Sequence, residues 1–71
     1  MRLRQIFAAN LRARRNARGL SQEDLADLAE IDRTYVSLLE RCEYSASLDV
    51  VERIAVALNV DASELLAPSH K

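Results

Sequence analysis

SQEDLADLAEIDRTYVSLLER, residues Ser21 to Arg41, holds two helix starts with almost nothing between them. Ser21 is followed three residues on by Asp24, a short form of the capping box, and Glu23 and Asp24 suit the positive end of a helix dipole. A helix is expected from there to about Ala29. Asp32 is a good N-cap for a second helix, Arg33 to about Arg41. Only Glu30, Ile31 and Asp32 remain for the turn, so the two helices must meet at a sharp angle.

A helical wheel at about 100° per residue separates the second helix into two faces. Tyr35, Val36 and Leu39 fall between roughly 200° and 300° from Arg33, and Arg33, Thr34, Ser37, Leu38 and Arg41 between roughly 0° and 140°. The first set is expected to pack inward. The second presents a guanidinium fork, two hydroxyls, a second arginine and one leucine to the outside. On the preceding helix Leu25, Ala26 and Ala29 face inward, and the small Ala26 permits close crossing. Ile31 plugs the turn. One helix thus braces the other so that a polar ridge projects, and a helix of that kind fits the major groove of B-DNA, about 12 Å wide.

Working outward, Leu3, Ile6, Phe7 and Leu11 follow helical spacing, and this helix stops at Gly19, where a left-handed C-cap is expected. Glu43 to Ser47 reads as a loop. Ser47 caps a helix whose Leu48, Val51, Ile54, Ala55 and Leu58 form an apolar stripe ending near Asn59. Asp61 and Glu64 make another capping box for a short helix with Leu65 and Leu66, ended by Pro68. The tail Ser69, His70, Lys71 is expected to fray, with His70 solvated.

The chain has 71 residues with 11 Leu, 11 Ala, 5 Val and 3 Ile against one Gly and one Pro. That composition favours helices over strands, and the length suits one domain, residues 1–71. The fold class is therefore all-α, a compact five-helix bundle. The net charge of −1 conceals segregation: Arg2, Arg4, Arg12, Arg14, Arg15 and Arg18 precede residue 20 without an acid, and Glu23, Asp24, Asp27, Glu30 and Asp32 follow without a base. Glu23, Asp24 and Asp27 diverge around their helix with no histidine near, so dipole stabilisation is expected there and no metal. Cys42 is alone and is read as a helix-end residue, with a redox switch as the alternative. No apolar run suggests a leader or a membrane span, and a cytoplasmic location is expected.

Taken together, Arg15, Gly19, Leu20, Ser21, Gln22, Leu25, Ala26, Ala29, Ile31, Val36, Ser37, Leu39, Glu40 and Arg41, then Ser47-Leu48 and the run Ile54 to Val60, form a specific pattern. From about Phe7 to Leu66 it resembles the phage-repressor and Cro-type, Xre-like helix-turn-helix DNA-binding regulators, whose domains are lambda-repressor-like. DRTYVSLLER is especially similar to controllers of restriction–modification systems. Three positions depart from the family pattern: Glu30 and Cys42 stand where glycine is usual, and Ala46 where proline is common. A left-handed backbone at either of the first two costs roughly 1 kcal/mol.

The resemblance implies that Arg33, Thr34, Ser37 and Leu38 face the groove and that Gln22 meets the DNA backbone. It also implies a structural pair between Arg15 and Glu40. Arg33 is the expected base reader, since a guanidinium can bond guanine O6 and N7 together. Arg41, Ser45 and Ser47 are expected to join Gln22 on phosphates. A homodimer on an inverted-repeat operator is expected, because one helix reads few base pairs, because Val50, Val56, Val60, Leu65 and Leu66 exceed what a monomer core needs, and because the family commonly dimerises there. Double-stranded DNA is the expected partner, with no cofactor, membrane or small-molecule effector. The alternative is a protein-interaction module, such as an antitoxin binding its toxin. An enzyme lacks a site: no Cys/His pair, metal spacing or glycine-rich phosphate loop is present.

Overall fold

Cap chemistry sets most of the helix boundaries in a computed structural model that describes residues 2–68. The elements are α1 (Arg2–Ala17), α2 (Gln22–Ala29), α3 (Arg33–Glu40), α4 (Leu48–Leu58) and α5 (Ala62–Leu66). All regular structure among the described residues is helical. The expectations for Ser69, His70 and Lys71 lie outside them.

The start of α2 carries both halves of a capping box: Asp24 N–H donates to Ser21 Oγ at 2.9 Å, and Ser21 N–H donates to Asp24 Oδ2 at 3.1 Å. Ser47 caps α4 through Val50 N–H at 3.1 Å. At α3 the N-cap is Asp32, as expected, without a side-chain bond. Its carbonyl closes the first turn, taking Tyr35 N–H at 3.0 Å and Val36 N–H at 3.3 Å.

Four helices stop in the same way. Gly19, Glu30, Cys42 and Asn59 have φ of 70°, 60°, 62° and 60°. Each left-handed residue lets the next N–H bond five residues back, at Leu20 to Arg15 O, Ile31 to Ala26 O, Glu43 to Leu38 O and Val60 to Ala55 O, all within 2.9–3.1 Å. Glu30 and Cys42 therefore adopt the glycine-type backbone that their side chains disfavour. The sharp turn between α2 and α3 is this motif, with Ile31 folded back towards the core.

The core draws on every helix: Phe7 and Leu11, Leu25, Ala26 and Ala29, Val36 and Leu39, Val51, Ile54, Ala55 and Leu58, and Leu65. Helix α2 packs on α3 and α4, α1 on α3 and α5, and α4 on α5. The Cα radius of gyration is 10.7 Å, close to the roughly 11 Å expected for a compact chain of this length. Two apolar expectations are overturned. Leu48 leaves the stripe of α4 and is 83% exposed, because it is the first residue of the helix at the edge of the buried arc. Leu65, expected at a dimer interface, is 0% exposed, since α5 inserts it into the chain's own core.

The arginines of α1 and of the turn after it do more than carry charge. Arg14 Nη2 lies 2.9 Å from Glu64 Oε1, and Arg18 Nη1 donates to Leu58 O at 2.9 Å. Asn10 Nδ2 donates to Leu65 O and Ala67 O at 2.9 and 2.7 Å. These bonds fasten α1 to the second half of α5 and the turn after α1 to the end of α4, so part of the positive segment builds the fold.

Candidate nucleic-acid interface

Helix α3 divides as its periodicity requires. Val36, Leu39 and Glu40 are buried, and Tyr35 is half-buried against the core. On the opposite side Arg33 and Thr34 are exposed, with Ser37 and Leu38 half-buried beside them. These four side chains share one face. Arg41 continues it in the open, with Nη2 3.5 Å from Glu43 Oε1; an ion pair this exposed contributes little and leaves the guanidinium available.

Glu40 is the buried charge among the described residues, and its side chain has no exposed surface. Arg15 Nε donates to Oε2 at 2.7 Å, and Arg15 Nη2 donates to Oε1 at 3.0 Å. Gln22 Nε2 also donates to Oε1, at 3.0 Å. Arg12 Nε approaches the same oxygen at 3.5 Å. Arg15 further donates from Nη1 to Leu20 O at 2.8 Å, so one guanidinium ties α1, the turn before α2 and the end of α3 together. Burial pushes the Glu40 carboxyl up, but hydrogen bonds from Arg15 and Gln22, with the charges of Arg15 and Arg12, outweigh it and hold the group below its ordinary value. The hydrogen bond to Glu40 raises Arg15 above its ordinary value against an opposing effect of burial.

This network positions the ends of the ridge. Gln22 is half-buried at the start of α2; its amide nitrogen is engaged by Glu40, and its carbonyl oxygen has no protein partner among the described hydrogen bonds. Ser45 and Ser47 are exposed beyond Arg41. The Ser47 oxygen accepts the cap bond of α4, which leaves its hydroxyl proton free to donate. Tyr44 folds back on α3, its ring 5.4 Å from Tyr35 and edge-on at 75°. Sequence reasoning missed Tyr44, because the left-handed turn at Cys42 creates the contact. It also missed Arg12, although its place one turn before Arg15 puts both on one side of α1.

The remaining candidates are scattered. Val56 is 75% exposed beside Leu28, whereas Val50, Val60 and Leu66 are half-buried. Val50 and Val56 stand about 120° apart around α4. Among the described residues no helix is long and apolar enough to cross a membrane.

Comparison with known proteins agrees with this architecture. The family profile described as Helix-turn-helix matches residues 11–65. The chain is 46% identical over 69 residues to a hypothetical transcription factor of Neisseria meningitidis, covering 97% of this chain and 65% of that protein's length. It is 39% identical over 66 residues to control protein C.SmaI of Serratia marcescens, covering 93% of this chain and 79% of the relative. The crystal structure of the restriction-modification controller protein C.AhdI from Aeromonas hydrophila superposes with a TM-score of 0.85 at 42% identity, covering 87% of this chain and 94% of that one. By its matched residues and its α2–turn–α3 geometry, the chain belongs to the phage-repressor and Cro-type helix-turn-helix family.

Proposed function

We propose that residues 1–71 act as one DNA-binding domain of a transcription regulator, inserting α3 into the major groove of double-stranded DNA. The observation that carries this reading is the division of α3: Val36, Leu39 and Glu40 lock the helix from behind, while Arg33, Thr34, Ser37 and Leu38 share the opposite face. Arg33 reads bases, Thr34 and Ser37 assist, and Leu38 meets a thymine methyl. Gln22, Arg41, Ser45 and Ser47 hold phosphates on either side of the groove and fix the register without reading sequence. Similarity to proteins named as transcription factors and controllers supports the same reading.

The regulator works as a homodimer on an inverted repeat, with half-sites about 34–36 Å apart. With Leu65 in the core, Val50, Val56, Val60 and Leu66 remain as contact candidates, and Leu48 joins them. Leu48 and Leu66 border a groove of about 170 Å³ with Leu3, next to Ser45. A two-fold contact there lies beside the loop proposed for phosphates.

The test is mobility shift on the DNA upstream of the chain's own gene, against a random duplex of equal length. Arg33→Ala should lose about 1–3 kcal/mol on the cognate site and much less on random DNA. Equal losses on both would demote Arg33 to a phosphate contact, and no shift of the parent on either duplex at low salt would end the DNA-binding reading.

A further inference from the structure

Between α1 and the end of α3 lies an open cleft of about 480 Å³. Ala8, Ala9 and Ala13 line it, and Arg12 and Arg41 border it together with the buried Glu40. The alanine side chains are too small to fill the space between the two arginines. Their charges are poorly answered. Glu40 is already held by both nitrogens of Arg15 at 2.7 and 3.0 Å, which leaves Arg12 a contact of 3.5 Å to a neutralised carboxylate. No acid lies on α1 itself. Arg41 has only the exposed Glu43 at 3.5 Å. Counting Arg12, Arg15 and Arg41 against Glu40 and Glu43 leaves the cleft with an excess positive charge, and the residue in excess is Arg12.

The cleft also adjoins the face proposed for DNA. Arg12 and Gln22 converge on one atom, Glu40 Oε1, at 3.5 and 3.0 Å, and Arg41 follows directly on α3. Gln22 and Arg41 are two of the groups proposed to hold phosphates.

We infer that Arg12 is a further anion-binding residue, which together with Arg41 takes a phosphodiester oxygen of the DNA backbone in the cleft between α1 and the end of α3. This rests on the DNA-binding reading and extends its footprint onto α1, where a guanidinium can engage phosphate through two nitrogens. The contact adds affinity without sequence preference.

The experiment measures binding of parent, Arg12→Gln and Arg12→Lys to the upstream duplex and to a random 30-base-pair duplex across a salt series. One phosphate contact contributes about 0.9 to the salt slope, so between 50 and 200 mM salt the parent should lose about 3.5-fold more affinity than Arg12→Gln. Arg12→Gln should weaken both duplexes by the same factor, Arg12→Lys should keep the parent's slope, and all three should melt alike. A slope unchanged in Arg12→Gln, with a lowered melting temperature, would overturn the proposal and leave Arg12 as a structural partner of Glu40. An arm with inorganic phosphate alone separates the sources: saturable shifts of the Arg12 and Arg41 resonances at millimolar phosphate would assign the cleft to a free anion instead. Should the parent bind neither duplex, the DNA reading fails first, and that is distinguishable from a parent that binds with a slope indifferent to Arg12.

Discussion

Arg15 and Glu40, 25 residues apart, form a two-pronged ion pair beneath α3, with bonds of 2.7 and 3.0 Å and a carboxylate fully closed off from solvent. The pair joins α1 to the end of α3, and through Gln22 to the start of α2. It holds the bracing helix and the projecting helix in one geometry. Removing one partner of a buried pair costs about 3–5 kcal/mol, a large share of what a small domain has. Glu40→Ala should therefore lower the melting temperature by more than about 10 °C in a thermal melt followed by circular dichroism. A variant melting within a degree or two of the parent would remove the pair from the account.

The same pair sets a pH dependence. The Glu40 carboxyl titrates below its ordinary value in the folded chain, so the unfolded chain binds a proton first as pH falls. Its stabilisation is present above the ordinary carboxylate value of about 4.3 and is lost as pH drops from there through the folded value. Melting temperatures from pH 7 to 3 should show a steeper acid limb for the parent than for Glu40→Gln. Parallel limbs would contradict the linkage.

Glu30 offers a gain in stability. Its φ of 60° is that of glycine, and its side chain is exposed. Glu30→Gly should raise stability by up to about 0.5 kcal/mol, the relief of roughly 1 kcal/mol of left-handed backbone less the added freedom of the unfolded chain. Gly19→Ala should do the opposite by about 1 kcal/mol, because nothing lies within 4 Å of an added methyl and only the φ of 70° opposes it. Urea titrations of both variants check the signs, and a destabilised Glu30→Gly would mean that the Glu30 side chain acts in a way the geometry does not reveal.

Dimerisation can be read by sedimentation at micromolar concentration. Leu48 is exposed, so Leu48→Glu should leave the fold intact while turning a dimer into a monomer and weakening operator binding. Val56→Glu serves as the contrast, since Val56 lies about 12 Å further along α4 and borders Leu28 rather than the groove of Leu48. If Val56→Glu dissociates the pair and Leu48→Glu does not, the contact belongs beside Leu28 instead. A parent that is monomeric alone and on a palindromic duplex ends the dimer proposal.

What the sequence determined by itself was whatever depends on neighbours along the chain. The five helices, the capping box at Ser21, the left-handed stop at Gly19 and the two faces of α3 follow from spacing, cap chemistry and periodicity within a few turns. Arg15 with Glu40 was legible only through family resemblance, because nothing local links residues 25 apart. The tertiary structure alone decided which apolar side chains find cover and which polar ones converge. Leu65 enters the core and Leu48 does not, although both are leucines of short amphipathic segments, because α5 packs on α1 and α4 and buries Leu65, while Leu48 stands at the open edge of a groove. Arg12 meets Gln22 on one Glu40 oxygen because three helices cross there. Helical periodicity states which way a side chain points, and only the packing of other helices states what it meets.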